Sequence, residues 1–285
     1  MNRRTFVKRA AAAIVASAAG CVGYAVEVEP HWLEIVERDL AIDNLPRALE
    51  GARLAQVSDL HIGPQVSDDY IVHSFDRLRA LAPDLVVISG DFLTYRVARR
   101  DAQYAQLRAV LAQLPHGRLA TVGILGNHDY GHGWGEERIA AKVVAEAERA
   151  GVHMLRNEVQ PVGGLDIIGV DDLWARRGDP VAALRKRESA AGLVLVHNPD
   201  AADEQLWPGY RGWMLAGHTH GGQCRAPFLP PPLLPVKNRR YVAGEVTVDT
   251  GRTLYISRGV GHLIRARFNV RPEITLFTLR SAARA

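Results

Sequence analysis

The sequence predicts one α/β domain in which two stacked sheets are flanked by helices. Three observations support this: strand and helix patterns alternate in the first half of the chain, strand patterns dominate the second half, and no linker separates the halves. Of the 285 residues, 47% are hydrophobic and 23% are charged. This composition supplies a sizeable core for one large domain and excludes global disorder.

The first half alternates short apolar runs with amphipathic segments. Strands are predicted at 53–57, 85–88 and 119–125, and each run is followed by Gly or by Ser with Asp or Gly. Apolar residues at helical spacing predict helices around 71–81, 107–114 and 139–144, and Ser67 is a suitable N-cap. Connecting helices of this length predict parallel strands.

The second half contains seven further short runs with strand character. They are predicted at 159–162, 165–170, 193–196, 213–216, 246–248, 254–257 and 274–279. A second sheet packed on the first accommodates this many strands in one domain.

Residues 1–25 have the features of an export leader. Arg3 and Arg4 begin a twin-arginine pattern, no acidic residue follows, and an Ala/Gly-rich apolar run extends from residue 10 to residue 25. We expect export by the twin-arginine machinery to the periplasm or cell envelope, and an uncleaved leader would act as an inner-membrane anchor. A small-residue cleavage site at 16–18 and lipidation at Cys21 are alternatives. Residues 26–52 are predicted to be a lead-in, and residues 53–280 the main domain.

The basic net charge of +4 comes from the leader alone. Removing its four basic residues from the 35 Lys and Arg leaves 31, which equals the 31 Asp and Glu. A neutral domain does not predict a nucleic-acid partner. With only Cys21 and Cys224 in the chain, the sequence excludes a disulfide framework and a thiolate zinc cluster.

Metal-binding residue types follow five of the predicted strands. The five clusters are Ser58-Asp59-Leu60-His61, Gly90-Asp91, Gly126-Asn127-His128-Asp129, His197-Asn198-Pro199-Asp200 and Gly217-His218-Thr219-His220. Each cluster alone is more often a turn or a helix cap, but five at strand ends favour one converging site. Carboxylate, imidazole and amide ligands suit Mn²⁺, Fe or Zn²⁺, and a shared carboxylate can bridge two ions.

These five motifs resemble those of the calcineurin-like metallophosphoesterases over residues 53–220. Together with the leader, they resemble the exported or membrane-associated bacterial branch, which includes phosphodiesterases and relatives of UDP-2,3-diacylglucosamine pyrophosphatases. The resemblance implies a four-layer α/β/β/α sandwich with two stacked mixed β-sheets flanked by helices. It also makes 53–280 a metallophosphoesterase domain.

The resemblance implies a centre with two divalent ions, for which Mn, Zn, Fe and Mg are the candidates. Asp59, His61 and His220 would hold one ion, and Asp91 would bridge the two ions. The ligands of the other ion would be completed by Asn127, His197 and His218. The implied catalytic residues are His128, Asn127 and Asp91. His128 would stabilise the non-bridging phosphate oxygens or protonate the leaving group, and Asn127 would also contact the phosphate.

One position departs from the family pattern. Many members carry an Asp three residues after the bridging one, where it can orient the catalytic His, but this chain has Thr94 there. The orientation of His128 must then come from another group, and Asp129 or a backbone carbonyl is the candidate.

The implied activity is hydrolysis of a phosphate ester or anhydride bond, as a phosphodiesterase or pyrophosphatase. The expected partner is a phosphate-containing small molecule or a lipid-linked substrate such as UDP-2,3-diacylglucosamine of lipid A synthesis, and we expect a monomer. Arg265 and Arg267 would grip a second phosphate and His262 would touch substrate, although ion pairing and a solvated loop are the competing interpretations. A phosphomonoesterase, a protein phosphatase and a metal-binding envelope protein remain alternatives.

A proline-rich segment at 226–235 directly follows the last motif. Its apolar residues either pack on their own domain or dock on a membrane surface and receive a lipid tail. Lys237, Arg239 and Arg240 beside it would then meet anionic head groups.

Overall fold

The computed structural model describes residues 2–282, apart from the side chain of residue 100. The strands in this part of the chain are β1 (Glu34–Ile42), β2 (Arg53–Val57), β3 (Leu85–Ser89), β4 (Ala120–Ile124), β5 (His153–Met154), β6 (Glu158–Val162), β7 (Leu165–Gly169), β8 (Ala191–Leu195), β9 (Gly212–Ala216), β10 (Gly244–Thr247), β11 (Arg252–Ile256) and β12 (Glu273–Ser281). The α-helices are α1 (Arg3–Gly23), α2 (Asp68–Ala80), α3 (Arg100–Leu111), α4 (Glu137–Arg149) and α5 (Pro180–Arg185).

The strands form two six-stranded mixed sheets. The first has the order β1-β12-β2-β3-β4-β5, in which β2 to β5 are parallel and β12 is antiparallel to β2. The second has the order β10-β11-β9-β8-β7-β6, with parallel strands in the middle and one antiparallel strand at each edge. The predicted pair of mixed sheets is confirmed.

The core explains why the central strands are continuously apolar. Along β3, Leu85 and Val87 belong to the core between the two sheets, whereas Val86 and Ile88 face the helices. A third cluster covers the outer face of the second sheet and includes Trp207. Strands buried on both faces need no polar alternation, so their runs are unbroken. Helices, two sheets and an outer layer together give the predicted four-layer sandwich.

The predicted lead-in is partly a strand of the first sheet. Residues 34–42 form β1, which pairs in parallel with β12 over its whole length, from Glu34 with Glu273 to Ile42 with Ser281. The prediction that the domain begins at residue 53 is therefore too late. The pattern was missed because β1 is an edge strand with an exposed middle, and its partner lies some 240 residues away in the sequence.

The leader is a helix that projects from the domain. No residue of α1 is buried, and the helical segment Arg3–His31, of which α1 is the first part, is long and apolar enough to cross a membrane. An export signal passes the same test of length and composition. The predicted boundary at residue 25 falls inside this segment, whose last turns contact the domain.

Candidate metal centre

The carboxyl ends of β2, β3, β4, β8 and β9 meet at one edge of the sandwich. The turns that follow them are connected through the backbone, because the N–H of Asp59 donates to the carbonyl of Gly90 at 3.0 Å. The N–H of His61 likewise donates to the carbonyl of Asp91 at 3.0 Å. Parallel order in the sheets thus places all five motifs side by side.

Left-handed backbone is concentrated at these turns. The non-glycine residues with positive φ include Asp59 (φ 53°), His61 (φ 48°), Asp91 (φ 56°), His218 (φ 72°) and His220 (φ 49°). Each such conformation costs on the order of 1–3 kcal/mol, and it persists only where the surrounding structure holds it. Five of them on candidate ligands indicate that the turns are shaped to aim side chains inward.

Two glycines allow the turns to approach closely. A Cβ atom on Gly90, whose φ is 96°, would lie 2.6 Å from Nδ1 of His197. A Cβ atom on Gly217 would lie 2.4 Å from Oδ2 of Asp59. Any side chain at either position would displace a candidate ligand.

The first cluster consists of the buried side chains of Asp59, His61 and His220. The Nε2 atoms of His61 and His220 lie 3.0 Å apart. Oδ1 of Asp59 lies 3.4 Å from Nε2 of His220. The candidate ligand atoms in each cluster lie within 4.8 Å of one another. This compact donor set can hold a divalent ion.

The second cluster consists of Asp91, His197 and His218 and is equally buried. Nε2 of His197 lies 3.1 Å from Oδ2 of Asp91 and 3.3 Å from Nδ1 of His218. The same Oδ2 of Asp91 lies 3.5 Å from Nε2 of His61 in the first cluster. One carboxylate oxygen therefore stands between the two donor sets.

Backbone carbonyls fix which imidazole nitrogen faces the centre. Nδ1 of His197 donates to the carbonyl of Ser89 at 2.7 Å, which leaves Nε2 for the centre. Nε2 of His218 donates to the carbonyl of Pro235 at 2.9 Å, which leaves Nδ1. Orienting partners of this kind set the tautomer of a metal-binding histidine.

The side chain of Asn127 tests whether the site fits metal ions. Its Oδ1 and Nδ2 atoms are buried and have no hydrogen-bond partner within the described residues. A buried polar group left unpaired costs about 1–3 kcal/mol, so such groups are rare without a ligand. Asn127 follows Gly126, which packs against the Asp91 carboxylate, and its amide oxygen is a hard donor that would suit a divalent ion together with the carboxylate and imidazoles of the second cluster.

The electrostatics of the buried centre attract positive charge. Burial lowers the pKa of His61, His220 and His218, the last to about 3, so these imidazoles are neutral near pH 7. Burial also opposes charge on His197, but the adjacent Asp91 carboxylate outweighs it and raises the pKa of His197 to about 10. The first three imidazoles are thus in the neutral form that binds metal, and the raised pKa of His197 shows that the carboxylates of the centre stabilise a cation there.

Thr94 and Asp129 have roles other than orienting the ring of His128. Oγ1 of Thr94 lies 2.9 Å from Nδ1 of His61, so it supports a candidate ligand. The Asp129 carboxylate accepts the backbone N–H groups of Asp91, Leu93 and Gly126, at 3.0, 3.0 and 2.9 Å. It therefore fixes the turn that carries Asp91 and is not the orienting group suggested by the sequence.

His128 lies at the open side of the centre. Its backbone N–H donates to Oδ1 of Asp91 at 2.9 Å, and its ring meets His61 edge-on at a centroid distance of 5.2 Å. The ring is also 6.2 Å from that of Trp134. These contacts place the imidazole beside the two clusters without making it part of either.

Two tryptophans beside the site were missed by sequence reasoning. The Trp174 ring lies 4.5 Å from that of His218 and 4.7 Å from that of Trp134. Both are in loops between elements, where no periodic pattern marks them. Only the folded chain brings them to the rim.

Two of the three predicted substrate-binding residues are not placed to bind phosphate. Arg267 is fully buried, and its guanidinium donates to the carbonyl of Gly261 at 2.6 Å and contacts Nδ1 of His220 at 3.4 Å. His262 is also buried, and its Nε2 donates to the carbonyl of Gln65 at 3.0 Å. For both residues the sequence had offered a substrate contact or, alternatively, a solvated or surface-paired side chain. Both interpretations are wrong, because the two side chains are buried and hydrogen-bonded to backbone carbonyls. Arg265 is exposed and forms an ion pair with Glu27 at 2.7 Å.

Two buried ligand clusters that share a carboxylate, with a histidine at their open side, define a metal-dependent phosphoester hydrolase. The chain belongs to the calcineurin-like phosphoesterase family, whose model matches residues 52–222. That range includes both clusters, Asn127 and His128. Enzymes of this family use two divalent metal ions, so the expected pair of ions and the hydrolase class are confirmed.

Three relatives show how far the similarity extends. Phosphodiesterase YaeI of Escherichia coli (strain K12) is 31% identical over 98% of this chain and 99% of its own length. The uncharacterized metallophosphoesterase YkuE of Bacillus subtilis (strain 168) is 33% identical over 99% of this chain and 98% of its own. The UDP-2,3-diacylglucosamine pyrophosphatase LpxG of Chlamydia trachomatis is 26% identical over 89% of this chain and 91% of its own.

Proposed function

We propose that the protein is a metal-dependent phosphodiesterase or pyrophosphatase that acts on a lipid-linked substrate at the outer face of the inner membrane. The observation that carries the reaction type is the Asp91 carboxylate, whose Oδ2 lies 3.1 Å from His197 and 3.5 Å from His61, between the two donor sets. Relatives whose names state phosphodiesterase and UDP-2,3-diacylglucosamine pyrophosphatase activities support the choice of bond.

The residue roles follow from the two clusters. Asp59, His61 and His220 would hold one ion and His197 and His218 the other. Asp91 would be shared because its Oδ2 also lies near His61, and the unpaired amide of Asn127 would complete the second set. Two bound divalent ions supply Lewis acidity and lower the pKa of water, the chemistry that phosphoester hydrolysis needs. The side chain of His128 would contact the phosphoryl oxygens or the leaving oxygen from the open side.

Changing Asp91 and His128 separately tests these roles. In Asp91→Asn we expect kcat on bis-p-nitrophenyl phosphate to fall at least about 100-fold, with fewer ions bound, because both ions lose a shared ligand. In His128→Gln we expect a loss of about 100-fold with both ions retained, measured by metal analysis of the same preparation. Glu148→Gln on the exposed side of α4 is the matched control and should leave both readings unchanged.

If both site variants kept full diesterase activity with metals bound, the roles proposed for Asp91 and His128 would be wrong. The assay is run on mono- and diesters with Mn²⁺, Zn²⁺, Mg²⁺ and no added metal. Two bound ions without turnover of any phosphate ester would favour a binding protein, and preference for the monoester would favour a phosphatase. UDP-2,3-diacylglucosamine is tested beside the simple diesters.

Export by the twin-arginine route is part of the proposal. Arg3, Arg4, Lys8 and Arg9 all lie at the start of α1, and by the positive-inside rule this supports a topology with that end in the cytoplasm and the domain outside. In Arg3→Lys/Arg4→Lys we expect the domain to stay in the cytoplasmic fraction, whereas Lys8→Arg should be exported normally. Unchanged export of the double variant would exclude this route.

A further inference from the structure

An apolar cavity opens beside two of the candidate metal ligands. It has a volume of about 320 Å³, and its lining includes His218, Thr219 and His220. Its walls are mainly aliphatic and are contributed by Leu233, Leu234, Pro235, Leu263 and Ile264. The phosphate group of a substrate is anionic, so an apolar wall next to the centre suits a different part of the substrate.

The two loops at the rim of this cavity carry exposed apolar side chains. Leu233 and Ile264 line the cavity and are each more than half exposed. Phe228 and Leu229, which precede Leu233 in the same loop, are fully exposed and more than half exposed, respectively. Apolar side chains scattered singly on a surface need no explanation, but a contiguous group beside a pocket marks an interaction site.

The loop that presents these side chains is held in place. Arg239 donates to the carbonyls of Leu234 and Pro231, at 3.3 and 3.1 Å. The backbone of Phe228 itself is left-handed, with φ at 66°. The proline-rich segment therefore packs on the domain through its buried residues Pro231 and Leu234, and it leaves the side chains of Phe228, Leu229 and Leu233 exposed.

The second loop of the rim is joined to the end of the membrane-length helix. The N–H of Arg267 donates to the carbonyl of Ala25 at 2.8 Å, and Arg265 pairs with Glu27. The rings of Tyr24 and Phe268 meet edge-on at 6.4 Å. Ile264 is therefore only a few residues from the contacts that fix the carboxyl end of α1. A bilayer that holds α1 would lie next to this rim.

Exposed cationic groups lie in or beside the same two loops. Arg225, Lys237 and Arg240 are exposed in or beside the proline-rich loop, and Arg265, next to Ile264, is exposed and paired with Glu27. Basic groups around an apolar patch match the head-group layer of an anionic leaflet.

From these contacts we infer that the cavity binds the acyl or alkyl chain of a phosphodiester lipid that enters from the bilayer. The tip formed by Phe228, Leu229, Leu233 and Ile264 docks on the leaflet in which α1 is anchored. The lipid chain then passes between Leu233 and Ile264 while its phosphate reaches the metal centre beside His218 and His220. This inference rests on the proposed function, and it adds where the substrate enters and which walls hold its apolar part.

A series of p-nitrophenyl alkyl phosphates with ethyl, butyl and octyl chains tests the cavity on the full-length protein loaded with Mn²⁺. Water adds to phosphorus, the bond to the nitrophenyl oxygen breaks, and nitrophenolate, an alkyl phosphate and a proton are released. We expect kcat/KM to rise about tenfold or more from ethyl to octyl, because methylene groups leave water. In Leu233→Asn the same rise should shrink to about threefold or less.

Leu119→Asn is the matched control, since Leu119 is also exposed but precedes β4 at the opposite end of the strands. It should keep the wild-type dependence on chain length. A wild-type series that is flat, or a Leu233→Asn series as steep as that of the control, would overturn the inference. No turnover of even the ethyl compound would instead count against the proposed function itself.

Docking is measured separately in nanodiscs. A fluorophore attached to Phe228→Cys, in a chain with Cys21→Ser and Cys224→Ser, should be quenched strongly by spin-labelled lipid. The same probe on Leu119→Cys should be quenched weakly. Equal quenching at both positions would show that the tip does not enter the leaflet.

Discussion

At the scale of single residues, Thr94 shows how a departure from the family pattern is used. The threonine stands where many relatives have a carboxylate, yet its hydroxyl is 2.9 Å from Nδ1 of His61. A partner at this distance fixes the orientation of a metal-binding imidazole. The threonine therefore supports His61 in the first cluster of ligands. The ring of His128 is instead positioned by its contacts with the rings of His61 and Trp134.

Removing this hydroxyl should weaken metal binding. In Thr94→Val we expect the Mn²⁺ concentration for half-maximal activity to rise about tenfold, because loss of such a partner costs on the order of 10–100-fold in affinity or activity. The control is Thr121→Val, since the Thr121 hydroxyl is also buried but accepts the N–H of Gly117 far from the centre. An unchanged Mn²⁺ dependence in Thr94→Val would mean that the contact does not position His61.

The residue types of the site could be predicted from the sequence, but their contacts could not. Asp59, Asp91 and His218 each follow a buried strand, so their convergence follows from parallel order alone. The role of Thr94 and the burial of Arg267 depend on how loops fold back. Arginine is a residue type that often binds phosphate. Only the folded structure shows that the guanidinium of Arg267 is used instead to hold backbone carbonyls together.

At the scale of elements, the pair α3 and α4 is joined by a buried carboxylate. Glu146 on α4 accepts two hydrogen bonds from Arg108 on α3, at 2.8 and 2.7 Å, and also contacts Arg149. The Arg108 guanidinium lowers the pKa of Glu146 to about 2. The charged form of Glu146 is therefore favoured in the folded state.

This pair should give a specific pH dependence of stability. Because the folded-state pKa is lowered, the stabilisation is complete above the ordinary glutamate pKa of about 4.3 and is lost as pH falls toward 2. In Glu146→Gln we expect the free energy of unfolding to fall by about 1 kcal/mol at pH 7, a modest value because Arg108 is half exposed. The difference in this free energy between the variant and wild type should narrow below pH 4. Chemical denaturation at several pH values measures this, with Glu148→Gln as the exposed control. A difference that stays constant from pH 7 to pH 2.5 would contradict it.

Elements with a strong pattern were predictable, and short or peripheral ones were not. The runs at β2, β3 and β4 gave the correct strands because burial on both faces leaves an unbroken apolar sequence. β5 has only two residues, and β1 has charged residues in its middle, so neither differs from a loop in its pattern. Their pairing comes from neighbours distant in the chain.

At the scale of the whole molecule, the centre should couple metal binding to stability. It gathers buried carboxylates, strained turns and the unpaired amide of Asn127, all of which favour bound cations. Addition of Mn²⁺ to about 100 times its Kd should raise the free energy of unfolding by about 2.7 kcal/mol and Tm by about 5 °C. Scanning calorimetry with and without a chelator measures the shift, which should be smaller in Asp91→Asn. No shift with two ions bound would show that the unfolded chain binds them equally well.

The pairing of β1 with β12 also sets when the chain can fold. β12 lies between β1 and β2 in the first sheet, so residues 34–42 have no strand to join until residues 273–281 have left the ribosome. Long-range pairing of this kind is slow, and it cannot begin while the C-terminal segment is still being made. The order of events is then synthesis to the last strand, closure of the sheet and, under the proposed export route, passage of a finished domain behind its leader. A chain truncated before residue 273 would have both β1 and β2 unpaired on the sides that β12 normally covers.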